Sequence, residues 1–228
     1  AEKDFKGIVI GNEAPNFSAG ANLAMVFMMS VEQEWDEIDF SIRAFQQTVM
    51  RIRYSSVPVV IATRGMTLGG GCEMTLHADQ VMAAAESYIG LVEFGVGLIP
   101  AGGGSKEFAL RASDDFREGD ILLPVLRERF LTIGQARVST SASEAFDLGI
   151  LQKGRDRIVM NERHLIREAK RAVLNLAEAG CWAGPGLEWF MPEPIRCSAE
   201  ITSLHTTGKS QKSWAMFFAV ATCQLLHW

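Results

Sequence analysis

The stretch Pro58-Val59-Val60-Ile61-Ala62, then Gly65 to Gly71, then Cys72 to Ala78 and Asp79 to Ala84, decides the fold. The first run is apolar with two valines and an isoleucine, the signature of a strand covered on both faces. Gly65 to Gly71 reads as a glycine-rich turn, because glycine reaches backbone angles closed to other residues. Cys72 to Ala78 reads as the start of a helix, and Asp79 to Ala84 as the next strand. Strands that alternate with helices argue an α/β fold.

Working outward, Phe5-Lys6-Gly7-Ile8-Val9-Ile10-Gly11 reads as an earlier buried strand, and Asn12 to Asn22 as a loop. Glu32 to Arg53 reads as an amphipathic helix, with Ile38, Ile42, Phe45, Val49 and Ile52 at steps of three and four. Downstream, Tyr88 to Ile99 is mixed, Lys106 to Arg111 starts a helix, and Asp114 to Leu131 is partly helical with Gly119 and Pro124 as breaks. Ser141-Ala142-Ser143-Glu144 is a capping-box pattern. Its helix ends at Gly149, where Ile150-Leu151 resumes an extended segment. Asn161 to Ala179 reads as an amphipathic helix closed by Gly180. The reading gives a core over residues 1–180 and a tail over 181–228. That tail holds four of the five tryptophans, three of the four cysteines and six charged residues, and no structure is assigned to it.

The chain has 228 residues and a net charge of −5. The length supports a sizeable core without disulfides or metals. The acidic balance argues against a nucleic-acid-coating role, which needs a basic face. Cys72, Cys181, Cys197 and Cys223 show no metal-ligand spacing and read as reduced thiols of a cytoplasmic protein. Ala1 to Lys6 has no apolar signal core, and Trp214 to Leu226 is too short for a membrane span.

Two small-residue loops and two carboxylates could carry chemistry. A backbone N–H in the Gly69-Gly70-Gly71 turn, near a helix start, is a natural donor to a developing oxyanion. A second N–H, just after Gly20 in Phe17-Ser18-Ala19-Gly20-Ala21-Asn22-Leu23, could reach the same oxygen. Glu73 and Glu93 both lie in apolar company, where desolvation favours the neutral form that a general acid needs. Taken singly, each loop is more often a plain connection, and each carboxylate more often a cap or ion-pair member. His77 reads as a structural histidine and Ser105 as a helix cap. The phosphate-loop, dinucleotide and zinc-protease motifs are absent.

These same residues resemble the crotonase (enoyl-CoA hydratase/isomerase) superfamily. The resemblance rests on Pro58 to Ala62, Gly65, Gly69-Gly70-Gly71-Cys72-Glu73 and Asp79; on Phe17 to Leu23; and on Glu93 followed by Gly97-Leu98-Ile99-Pro100-Ala101-Gly102-Gly103. It covers Phe5 to Ala179. It implies a ββα-superhelix with C-terminal helices, binding an acyl-CoA thioester and using neither cofactor nor metal. It implies oxyanion-hole N–H groups at Ala21 and Gly70, catalytic Glu73 and Glu93, and substrate contacts from Ala19, Ala21, Asn22, Leu23 and Gly70. Both glutamates together favour enoyl-CoA hydratase in fatty-acid β-oxidation, with a Δ3–Δ2 enoyl-CoA isomerase or a non-catalytic acyl-CoA binder as alternatives. Homotrimers or hexamers are also implied. Asn22 in place of the family's usual Asp, the long Arg111 to Ser141 segment and the helix from Asn161 resemble the hydratase part of a bifunctional 3-hydroxyacyl-CoA dehydrogenase. On that resemblance the chain is a piece of a larger protein, beginning after strands that help to shape the CoA site.

Overall fold

The computed structural model describes residues 5–114, 119 and 121–180. The tail from Cys181, with its three cysteines and the Trp214 to Leu226 stretch, lies outside the described residues, as do Ala1 to Asp4 and part of the Asp114 to Leu131 segment.

Four strands, β1 (Ile8–Ile10), β2 (Val59–Leu68), β3 (Gln80–Gly90) and β4 (Arg157–Val159), form one sheet in that order. Every neighbouring pair is parallel. Parallel neighbours need crossovers, and helices supply them. The crossover from β1 to β2 holds α1 (Leu23–Val31) and α2 (Trp35–Arg53); α3 (Gly70–His77) joins β2 to β3. Between β3 and β4 come α4 (Gly104–Asp114), α5 (Leu122–Gly134) and α6 (Ala142–Asp147), and α7 (Leu165–Glu178) follows β4.

Side chains alternate across a strand, so a strand buried on both faces is apolar at every position. Val59 and Ile61 of β2, with Val81 and Ala83 of β3, pack toward Leu76, Phe108 and Ala145. Val60, Ala62, Met82 and Ala84 pack the other way, onto Leu165, Ala169, Ala172 and Val173 of α7. Buried Arg111 ties the first layer together: it donates to the Leu76 carbonyl at the end of α3 (2.7 Å) and to the Ile150 carbonyl (2.5 Å).

Several elements differ from expectation. β2 does not stop at Ala62. It continues through Gly65, which has φ +50° at a shift in register and backs onto the Pro15 carbonyl, where a side chain has no room. The helix expected from Glu32 begins at Trp35, and α1 precedes it. α1 is apolar at eight of its nine positions, so it carries no helical period to read. Pro124 is the third residue of α5 rather than a break, because a first-turn residue needs no N–H for the helix ladder. Ser141 caps α6 through the Glu144 N–H (3.2 Å), but the Glu144 carboxylate reaches the Thr140 N–H (2.7 Å) instead of closing the box on Ser141. Ile150 and Leu151 are buried in a bend, not extended, and the short strand β4 comes later. The helix expected from Asn161 opens as a 3-10 turn over Glu162–His164 before α7. Ser105 lies inside α4 and is not its cap.

Candidate active site

In an open parallel sheet, ligands bind beyond the carboxyl ends of the strands. Ala19, Ala21, Asn22, Leu23, Gly70, Glu73 and Glu93 lie there, on the segments leaving β1, β2 and β3, whereas His77 lies at the far end of α3.

The segment after β1 is fastened to β2. Ser18 N–H donates to the Met66 carbonyl and Leu68 N–H to the Ser18 carbonyl, each at 2.9 Å, forming a parallel bridge between Ser18 and Thr67. The Ser18 hydroxyl accepts from Gly20 N–H (3.1 Å), and Gly20 holds φ +91°. Ala19, Ala21, Asn22 and Leu23 are exposed on this loop. Asn22 is the N-cap of α1, its side-chain oxygen accepting from Ala24 N–H at 3.1 Å and Met25 N–H at 3.4 Å.

The segment after β2 is the glycine turn. Gly69, at φ +56°, donates to the Gly90 carbonyl (3.0 Å) and accepts from Glu73 N–H (3.0 Å). Gly70 is the first residue of α3, so its N–H is one that the helix does not use. Ala21 N–H likewise has no hydrogen bond among the described residues. A methyl group on Gly69 would sit 3.3 Å from Glu93 Oε1 and 3.6 Å from Gly20 Cα, so the three strand exits converge on this residue.

Glu73, on the first turn of α3, is 3% exposed. Its Oε1 accepts from Gly104 N–H at the start of α4 (2.9 Å). Burial pushes this carboxyl up to about 7; the Gly104 N–H opposes the shift, the nearby Glu93 charge adds to it, and the Gly102 N–H opposes it again. Glu93 opens a 3-10 turn directly after β3. Burial raises its carboxyl too, against the N–H groups of Glu93 itself and of Val92. Its Oε2 is buried without a hydrogen-bond partner among the described residues. The arrangement is two desolvated carboxyls, the charge of Glu93 acting on Glu73, beside two small-residue turns.

Sequence reasoning missed the Gly102–Gly104 backbone as a partner of Glu73. Its signal was a glycine triplet ahead of a helix, where free N–H groups meet an anion. It also missed Phe45 of α2, whose ring packs where side chains on Gly70 and Gly102 would have to go. Nothing in an amphipathic repeat separates such a ring from an ordinary core residue. Among the described residues, no three His, Cys, Asp or Glu side chains gather as a metal-binding set, and no helix is long and apolar enough to cross a membrane.

The fold is the crotonase fold. An enoyl-CoA hydratase from Polaromonas sp. JS666 matches it with a TM-score of 0.59 at 24% identity, over 76% of this chain and 60% of that one. The sequence model of the enoyl-CoA hydratase/isomerase family matches residues 1–114, half of the chain. The chain belongs to the enoyl-CoA hydratase/isomerase family. A probable 3-hydroxyacyl-CoA dehydrogenase of Bacillus subtilis strain 168 is 47% identical over 184 residues, 81% of this chain but 23% of that protein. A crotonyl-CoA hydratase of Syntrophomonas wolfei is 27% identical over 76% of this chain and 58% of its own length. The chain thus spans about a quarter of the first relative and rather more than half of the second.

Proposed function

We propose that the chain is an enoyl-CoA hydratase unit that adds water across a trans-2-enoyl-CoA to give a 3-hydroxyacyl-CoA in fatty-acid β-oxidation. The observation that carries this reading is the convergence on Gly69: Glu93 Oε1 and the Gly20 loop lie against it, and Glu73 follows one helical turn on, its carboxyl raised further by the Glu93 charge. Burial raises both carboxyls and the Glu93 charge raises Glu73 further, which favours a state with a single negative charge, one base and one acid.

In the proposed reaction the thioester oxygen lies against the N–H groups of Ala21 and Gly70, with Ala19, Asn22 and Leu23 bordering the acyl group. Ionised Glu73 takes a proton from water as the water oxygen bonds to the β-carbon. Electron density moves to the thioester oxygen, where losing one such donor costs on the order of 10²–10³ in rate. Protonated Glu93 then delivers its proton to the α-carbon. Passage of the proton from Glu73 to Glu93 restores the starting state.

Assay of the purified chain with a trans-2-enoyl-CoA and, separately, a 3-enoyl-CoA tests this. Hydration of the first, lost in Glu93→Gln, is the expected result. Conversion of the 3-enoyl substrate without hydration of the 2-enoyl one makes the chain an isomerase instead. Tight acyl-CoA binding with neither conversion makes it a binding subunit.

A further inference from the structure

One buried charged cluster takes no part in the proposed reaction. His77 and Glu107 are both buried, on α3 and α4. His77 Nδ1 lies 2.7 Å from the backbone carbonyl oxygen of Glu73, one turn earlier on α3. A carbonyl only accepts, so Nδ1 carries the proton and donates. In the neutral ring the other nitrogen, Nε2, is then an acceptor. It lies 3.1 Å from Lys106 Nζ. The same ammonium lies 3.0 Å from Glu107 Oε1, and Arg53 at the end of α2 lies 3.5 Å from Glu107 Oε2. The result is a chain of contacts from Glu73 through His77 and Lys106 to Glu107 and Arg53.

The neutral ring is the form that the surroundings favour. Burial lowers the His77 pKa most; the Glu73 carbonyl and Glu107 raise it, and Lys106 and Arg53 lower it. The ring also lies over the segment that binds Glu73, filling the space a side chain on Gly103 would need. A methyl group on Gly103, which has φ +106°, would lie 3.1 Å from both Cε1 and Nε2 of His77. The neighbouring residue, Gly104, supplies the N–H on the Glu73 carboxylate. His77 therefore bonds the backbone of the residue that accepts this hydrogen bond and lies beside Gly103, the neighbour of the residue that donates it.

We infer that His77 is a positioning residue: with Lys106 it clamps the first turn of α3 against Gly102–Gly104, so that the Glu73 carboxylate stays on the Gly104 N–H. The inference rests on the proposed role of Glu73, and its test separates the two. A simple staple between helices contributes stability and nothing else. A clamp also sets where the carboxylate sits, and displacements on the order of 1 Å near the reacting atoms change rates by roughly 10²-fold.

The test uses the whole chain with His77→Leu, His77→Asn and Lys106→Met. In folded His77→Leu, kcat for 2-enoyl-CoA hydration falls by roughly 10- to 100-fold while KM stays within about twofold. The Glu73 carboxyl, followed by 13C NMR, titrates at higher pH because it has lost the Gly104 donor that opposes its upward shift. His77→Asn restores a donor to the Glu73 carbonyl and recovers part of kcat. Lys106→Met alters a partly exposed side chain, so it decides the matter if His77→Leu does not fold. The charge acting on Glu73 is that of Glu93, not of Lys106, so an upward shift in the Lys106→Met titration reports position. Unchanged kcat and unchanged Glu73 titration in the folded variant overturn the inference. If the unsubstituted chain hydrates nothing, the hydratase reading fails, and the Glu73 titration alone still decides whether His77 positions it.

Discussion

The two helices that flank the candidate site are built in opposite ways. α3 buries six of its eight residues, including the titratable Glu73 and His77. α1 buries none of its nine, although eight of them are apolar. Phe27 is 68% exposed and Leu76 is fully buried. The difference teaches where this fold puts its rigidity. The half of the site that would do acid–base chemistry hangs on a helix held by packing, backbone N–H groups and ion pairs. The half that would border the acyl group hangs on a helix held by one asparagine cap and its contact with α2.

The largest effect expected is at Glu73. Glu73→Gln should lower hydration by about 10²–10⁴-fold, the range for loss of a positioned general base, read as kcat. The same change should stabilise the protein above neutral pH. A carboxyl whose folded pKa is raised favours the folded state fully below its unfolded value of 4.5, and loses that contribution as pH climbs toward about 7. Glutamine keeps the neutral form, so Tm should rise at pH 8 and change little at pH 4.5. A larger gain at the acid end would break the link between burial and basicity. For the same reason the activity of the unsubstituted chain should fall as pH drops below about 7.

Next in size is a pair of truncations that tests the contrast between the helices. Leu76→Ala should cost about 2–5 kcal/mol in denaturant unfolding, whereas Phe27→Ala should stay within about 0.5 kcal/mol. Equal costs would mean that α1 is packed after all. The smallest is Asn22→Ala, which should cost about 1 kcal/mol through the lost cap. Its effect should concentrate in α1, measured as faster amide exchange at Ala24 and Met25 with α3 unaffected.

The sequence made the same contrast readable on one side only. The β2–α3–β3 segment combined apolar runs, a glycine cluster and an isolated carboxylate, and each of these has a local physical reason to be where it is. Glu73, Glu93 and the two loops could therefore be noticed in advance, but only the family resemblance joined Glu73, Glu93, Gly70 and Ala21 into one site; the three strand exits do bring their segments together. α1 escaped because a stretch apolar at all but one position has no distinct face. β4 escaped because Arg157 and Ile158 are exposed and only Val159 is buried, so it shows no apolar run like that of β1. Gly65 was placed in the turn because its positive φ serves equally for a turn and for a shift of register. The Gly104 donor and the His77 cluster depend on how α4 lies across α3, which no run of neighbouring residues specifies.

The Ser18–Thr67 bridge has a consequence for the proposed pair of donors at Ala21 and Gly70. Neither loop alone fixes the gap between those two N–H groups; the two hydrogen bonds of this bridge to the end of β2 gauge it. A ladder slips only in whole residues, about 3.3 Å at a time, and one step turns every side chain to the opposite face. The gauge is therefore digital. Thermal motion and mild substitutions leave it unchanged, and any change large enough to alter it dismantles the strand pairing first.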